Sequence, residues 1–148
     1  MKRLIWLSIG VVLGAGSLAL SATDAASPVS TVNAFRRALE SGQEQAALEL
    51  LAPELLVYES GDQNRTRGEY AAHHLRADMA FLAKVRVRML EQRASGDGAL
   101  AWVATRSRIS GPTADLVGTE TMVLRREAAG WRIVHVHWSS RPATRNDD

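Results

Sequence analysis

The sequence predicts an α+β domain in which helices come first and an antiparallel sheet follows. Three observations carry this. Apolar residues recur at helical spacing in the first half of the chain and alternate in the second. Turn-forming clusters, Ser95-Gly96-Asp97-Gly98, Ser110-Gly111-Pro112 and Ala128-Ala129-Gly130, divide the alternating half into strands. The order of elements, helices then strands without an internal repeat, suits a helix layer against an antiparallel sheet. The 148 residues suffice for one domain with its own core.

The elements follow in order. Met1-Lys2-Arg3 is basic, residues 4–20 are largely apolar, and Ser21-Ala22-Thr23-Asp24-Ala25-Ala26 is a run of mostly small residues. This is the layout of a secretory signal peptide cleaved between about residues 21 and 26, which implies a periplasmic or secreted protein. An uncleaved anchor is the alternative, because the apolar run approaches the ~17–20 residues a membrane span needs. Residues 27–141 then form a single domain and residues 142–148 a polar tail.

Ser27 and Pro28 open a helix whose Val29, Val32, Phe35, Ala38 and Leu39 share a face, and Gly42 stops it. A short helix over 43–51 ends before Pro53. Residues 55–60 read as a strand broken by Gly61-Asp62. Thr66-Arg67-Gly68-Glu69 is a capping box that opens the longest helix, to about residue 84. Strands follow over 85–93, 100–109, 116–126 and 131–139.

Composition narrows the chemistry. With no cysteine, thiol catalysis and thiolate metal sites are excluded. The 18 basic and 16 acidic residues nearly balance, so there is no electrostatic case for nucleic acid or a stable membrane contact. Phosphate-loop, nucleophile-elbow and dinucleotide motifs are missing, and no cofactor is expected. Asn64-Arg65-Thr66 matches a glycosylation sequon, but Thr66 is better explained as the helix cap.

The candidate chemistry lies in polar residues on apolar faces. On the long helix, at about 100° per residue, His74 and Asp78 fall in the centre of an arc formed by Tyr70, Ala71, Leu75, Phe81, Leu82 and Val85. On the last strand, alternation groups Trp131, Ile133, His135, His137 and Ser139 against Val134, Val136 and Trp138. One of Tyr58 and Glu59 faces inward, and Tyr58 would offer a phenolic donor. Trp102 and Arg106 share a strand face, with a solvated or interface face as the plain explanation of Arg106. Glu120 sits among apolar neighbours as a candidate buried carboxylate. These eight residues, Tyr58, His74, Asp78, Trp102, Arg106, Glu120, His135 and His137, form the expected ligand site, with Asp78, His74 and Tyr58 as candidate catalytic groups. If His74, Asp78, His135 and His137 converge, a first-row divalent ion is an alternative occupant. A packing role for the His74–Asp78 pair is the plain alternative.

Three strings resemble the nuclear transport factor 2-like superfamily, in particular its bacterial SnoaL-like members: Arg67-Gly68-Glu69-Tyr70-Ala71-Ala72-His73-His74-Leu75, Gly118-Thr119-Glu120-Thr121-Met122-Val123-Leu124, and Gly130-Trp131-Arg132-Ile133-Val134-His135-Val136-His137-Trp138-Ser139. The last is also similar to the final strand of calcium/calmodulin-dependent kinase hub domains. The resemblance covers about residues 29–141. It implies a cone, with a strongly curved sheet wrapped around about three helices, enclosing one pocket, and commonly a homodimer. Enzymes of the superfamily include ketosteroid isomerase, scytalone dehydratase and polyketide cyclases. The carboxylate, tyrosine and protonated aspartic acid of the isomerase are not matched here, so residue roles do not carry over.

The leading expectation is an exported domain that binds a small molecule in a His/Asp/Tyr-lined pocket. The alternatives are a proton-transfer enzyme of isomerase, dehydratase or cyclase type, an envelope metal-binding protein, and a dimeric assembly module.

Overall fold

The computed structural model describes residues 27–147, so the expected signal segment, residues 1–26, lies outside the described residues. Ser27 caps helix α1 (Pro28–Glu40) by accepting the Ser30 N–H, and Ser30 returns the bond. The apolar stripe Val32, Phe35, Ala38 and Leu39 is buried. Gly42, at φ 68°, turns the chain into α2 (Glu44–Glu49).

Strand β1 (Leu51–Glu59) starts before its apolar run and passes through the exposed Pro53. Proline offers no N–H to a ladder. It is tolerated because pairing with the last strand shifts register between Leu51 and Leu56. Ser60 and Gly61, both at positive φ, then turn the chain into β2 (Asp62–Asn64), which pairs back on β1. Three polar residues carry no periodicity, and β2 is not visible in the sequence pattern.

The expected single long helix is two: α3 (Arg67–His73) and α4 (Leu75–Leu82), broken at His74, whose φ is −116°. Thr66 caps α3 by accepting the Glu69 N–H at 3.0 Å, while Glu69 reaches back to the Arg65 N–H. The break has a packing cause. Tyr70 and Leu75 are both wholly buried, yet five residues on a straight helix point about 140° apart. Bending at His74 turns both towards the core.

Strands β3 (Arg86–Gly96), β4 (Leu100–Gly111), β5 (Ala114–Glu127) and β6 (Gly130–Pro142) complete an open six-stranded sheet of order β2-β1-β6-β5-β4-β3. The ladders are antiparallel except where β6 runs parallel to β1. The helices cover one face, over a core that includes Val57, Val103, Met122, Leu124, Ile133 and Val136. The α+β expectation holds, with four helices among the described residues rather than about three because of the break at His74.

A bulge in β6 changes which residues face that core. Val123 pairs with His135 while Leu124 pairs with Ile133, leaving Val134 as the extra residue. Trp131 and Ile133 are buried before the bulge, and Val136 and Trp138 pack on the same core after it. His135 and His137 are thereby carried to the opposite, outer face, which corrects the expectation that they share a face with Trp131 and Ile133. On β4, Ala101, Val103, Thr105 and Ser107 face inward and are buried, and Trp102 and Arg106 face outward.

The polar tail is tied down. Ala143 N–H donates to the Asp115 carbonyl. The Asp147 carboxylate accepts from Arg106, from Arg141 through both guanidinium nitrogens, and from the N–H and hydroxyl of Thr144. These donors, Arg141 first, hold its pKa well below the usual carboxylate range. Asp147→Ala is expected to release residues 143–147, read as faster amide exchange at Ala143. Unchanged exchange would show that the clasp does not order the tail. None of the described helices is long and apolar enough to cross a membrane.

Candidate functional site

Between α1, α4 and the inner face of the sheet lies a cavity of about 500 Å³. That falls within the range of small-molecule sites. Its apolar wall includes Leu39, Phe81, Leu82, Val87, Ile109 and Leu116. Its polar groups include Arg36 and Glu40 from α1, Glu59 from the end of β1, Asp78 from α4, Thr105 and Ser107 from β4, Glu120 from β5 and Trp138 from β6. Gly118 leaves space beside Glu120, and a Cβ there would meet Ile109 Cδ1 at 3.0 Å.

Helix α1 is fixed over the sheet by a polar row next to its buried stripe. Asn33 and Gln92 exchange amide hydrogen bonds, and Gln92 also donates to Thr105. One turn on, Arg36 donates from Nη2 to Ser107 Oγ at 3.0 Å. Its Nη1 is buried and has no hydrogen-bond partner.

Each cavity carboxyl has its own setting. Asp78 accepts from the hydroxyl of the wholly buried Tyr70 at 2.7 Å. Burial raises its pKa above the ordinary 3.8, against opposing pulls from the Tyr70 bond and His74. The Glu59 pKa is raised, first by burial and then by the charge of Asp78, with His74 acting the other way. That of Glu120 is also raised, chiefly by burial, against the opposing Arg36 charge and the Trp138 hydrogen bond. Trp138 Nε1–H donates to Glu120 Oε2 at 2.6 Å, and Oε1 is buried without a partner. The Trp138 ring stacks on Phe35 at 6.5 Å and leans against Tyr70. Burial and the Asp78 charge push the Tyr70 phenol pKa far up, so it acts only as a hydrogen-bond donor.

The expected site residues therefore separate. Asp78 and Glu120 line the cavity. His74 stands beside them at the helix break, half-buried, its Nδ1 sealed from solvent without a partner. Of the Tyr58–Glu59 pair it is Glu59 that turns inward, while Tyr58 lies on the outer face, edge-on to the His135 ring. The His135 Nδ1 pairs with the Leu56 carbonyl oxygen, His137 and Trp102 are exposed, and Arg106 belongs to the tail clasp. Tyr58, Trp102, Arg106, His135 and His137 are thus removed from the expected pocket, the histidines by the Val134 bulge and the β4 pair by inward facing of the smaller residues. The four-residue metal set is split by the sheet. Among the described residues no His, Cys, Asp and Glu side chains are grouped to hold a metal ion. Arg36, Glu59, Tyr70 and Trp138 were not singled out as site residues; the nearest signal is Asn33 and Arg36, polar residues one turn apart beside an apolar stripe.

Raised carboxyl pKa values make a stability prediction. Glu59, Asp78 and Glu120 hold protons in the folded state at pH values where the unfolded chain has released them. Stability therefore rises as pH falls from neutrality towards the ordinary values of 4.5 and 3.8. The opposing loss, from groups with lowered values, begins near the ordinary 4.5 for Glu54 and 3.8 for Asp147. The melting temperature should climb between neutral and mildly acid pH, and Glu120→Gln should flatten the climb. A temperature that falls steadily over that interval would contradict the carboxyl placement.

A curved sheet covered on one face by helices, with acid groups lining an apolar cavity, is a cystatin-like α+β arrangement. The chain belongs to the SnoaL-like domain family, whose model matches residues 29–144. It is similar to a structure from Shewanella frigidimarina provisionally named a ketosteroid isomerase, with 37% identity over 74% of this chain and 91% of that one and a TM-score of 0.72. A Streptomyces avermitilis protein of the NTF2-like family, provisionally named a dehydratase, is 21% identical over 76% of this chain and 92% of its own, with a TM-score of 0.63. An NTF2-like protein of unknown function from Pseudomonas putida is 15% identical over 80% and 87%, with a TM-score of 0.65. No curated protein matches the chain.

Proposed function

We propose that the cavity binds a small, largely apolar organic molecule and moves a proton on it, as an isomerase or dehydratase does. The observation that carries this is a pair of interacting carboxyl groups, Asp78 and Glu59, that both line the cavity. Asp78 takes the Tyr70 hydroxyl bond, which favours its charged form. Glu59 feels the Asp78 charge, which favours its neutral form. Burial raises both pKa values, but the Tyr70 bond and His74 oppose it at Asp78 while the Asp78 charge adds to it at Glu59, so Asp78 is the more readily ionised and the two can serve as base and acid. Asp78 is the base and Glu59 the proton donor, and His74 steadies the Asp78 charge from behind. The provisional names of the Shewanella and Streptomyces relatives support the same reaction type.

The test is deuterium incorporation from D2O into a panel of apolar ketones and enones, followed by NMR. Exchange catalysed by the purified chain and lost in Asp78→Asn supports the reading. Exchange that is equal in the variant, or missing across the panel, refutes it.

A further inference from the structure

Arg36 and Glu120 each hold one polar atom fixed and leave the other bare. Arg36 spends Nη2 on Ser107 and leaves Nη1 buried and unpartnered. Glu120 spends Oε2 on the Trp138 indole and leaves Oε1 in the same condition. Both residues line the cavity, and the Arg36 charge acts on Glu120. Buried polar atoms without partners are costly, and each such atom asks for an explanation. Here one ligand group can answer both. Arg36 Nη1 is a donor only. Because Oε2 already accepts from Trp138, a proton on Glu120 resides on Oε1, which then donates as well. Two donors on residues that line one cavity fit an acceptor with two oxygens.

We propose that the ligand of this site is a small carboxylic acid, its carboxylate accepting from Arg36 Nη1 and from the Glu120 Oε1 hydroxyl. The apolar body would lie along Leu82, Ile109 and Leu116, bringing the ligand across Asp78. The inference rests on this cavity being the ligand site, and it adds the substrate class. It also fixes a proton balance. When Glu120 is ionised in the free protein, binding takes up one proton from solvent onto Oε1, so affinity falls as pH rises. The charged and titratable groups around this cavity are Arg36 and Glu40 from α1, Tyr70 from α3, His74 at the helix break, Asp78 from α4 and Glu59 from β1, with the Trp138 indole from β6 on Oε2.

The experiment titrates the purified chain with 1-naphthylacetate, its primary amide and its methyl ester, by calorimetry in buffers of different ionisation heat. The acid should bind about tenfold or more tightly than either neutral analogue, as a charge-assisted pair requires. Arg36→Met should erase that preference. Glu120→Gln, whose amide N–H still donates, should keep acid binding and abolish proton uptake. Acid binding that persists in the unaltered chain where no deuterium exchange is found means that the proton-transfer reading has failed and the acid site has not. Equal binding of the three compounds, preference for the amide, or no binding of naphthyl, phenyl or alkyl acids at millimolar concentration overturns the proposal.

Discussion

Asp78→Asn lowers proton transfer by roughly 10²–10⁴-fold, the usual contribution of a positioned general base. Asparagine has the shape of the carboxylate and can still accept from the Tyr70 hydroxyl, so the wall of the cavity keeps its form. Folding does not suffer either. The Asp78 pKa is raised in the folded state, so at neutral pH the ionised carboxylate weakens the fold, and replacing it removes that penalty. The expected pattern is a rate loss with an unchanged or higher melting temperature. A mainly structural Asp78 would give the reverse, a lower melting temperature with activity falling only in proportion to folded protein. Glu59→Gln supplies the second arm: the loss of the donor should remove the basic limb of the pH–rate profile and leave the acid limb, which belongs to Asp78.

Phe35→Ala costs about 3–5 kcal/mol, the range for deleting a fully buried phenylalanine, and lowers the melting temperature by roughly 10–20 °C for a domain of this size. Phe35 is wholly buried and lies parallel to Trp138, its ring plane tilted by only 7°. Removing it opens a void and frees the indole that fixes Glu120. Phe81→Ala is the matched control. Phe81 is 42% exposed, so with far less apolar surface to lose it should cost about 1 kcal/mol or less. Thermal denaturation of the two variants side by side decides the matter, and equal losses would mean that the core is not centred on α1.

The fold was legible because caps and periodicities act locally. Ser27, Thr66 and Gly42 mark helix ends, and the apolar stripe of α1 and the alternation of β4 stand in the sequence as they stand in the structure. The site was legible only where its residues sit on regular elements. Asp78 is central in an apolar arc, and Glu120 keeps strict alternation with Met122 and Leu124. His135 and His137 were misplaced because one inserted residue, Val134, reverses the phase of everything after it. Nothing in Ile133-Val134-His135 marks a bulge, since the apolar pattern is continuous on both faces. Tyr58 and Glu59 stand at a strand end, where alternation allows either to be the inward one, and only pairing with β6 decides it. Arg36 and Tyr70 are recognised through partners more than thirty residues away, at Ser107 and Trp138.

The parallel seam between β1 and β6 also has a kinetic meaning. His135 meets the Leu56 carbonyl across 79 residues of sequence. No hairpin can zip that pairing, so its loop-closure entropy must be met before any contact repays it. Arg36 and Glu59 are made early and Glu120 and Trp138 late, and the pocket does not exist until β6 slots between β1 and β5. A ribosome-bound chain stopped before Gly130 therefore leaves unpaired the edges of β1 and β5 that β6 covers, and has no cavity. Such a species is open to chaperone capture and cannot bind ligand until its last strand arrives.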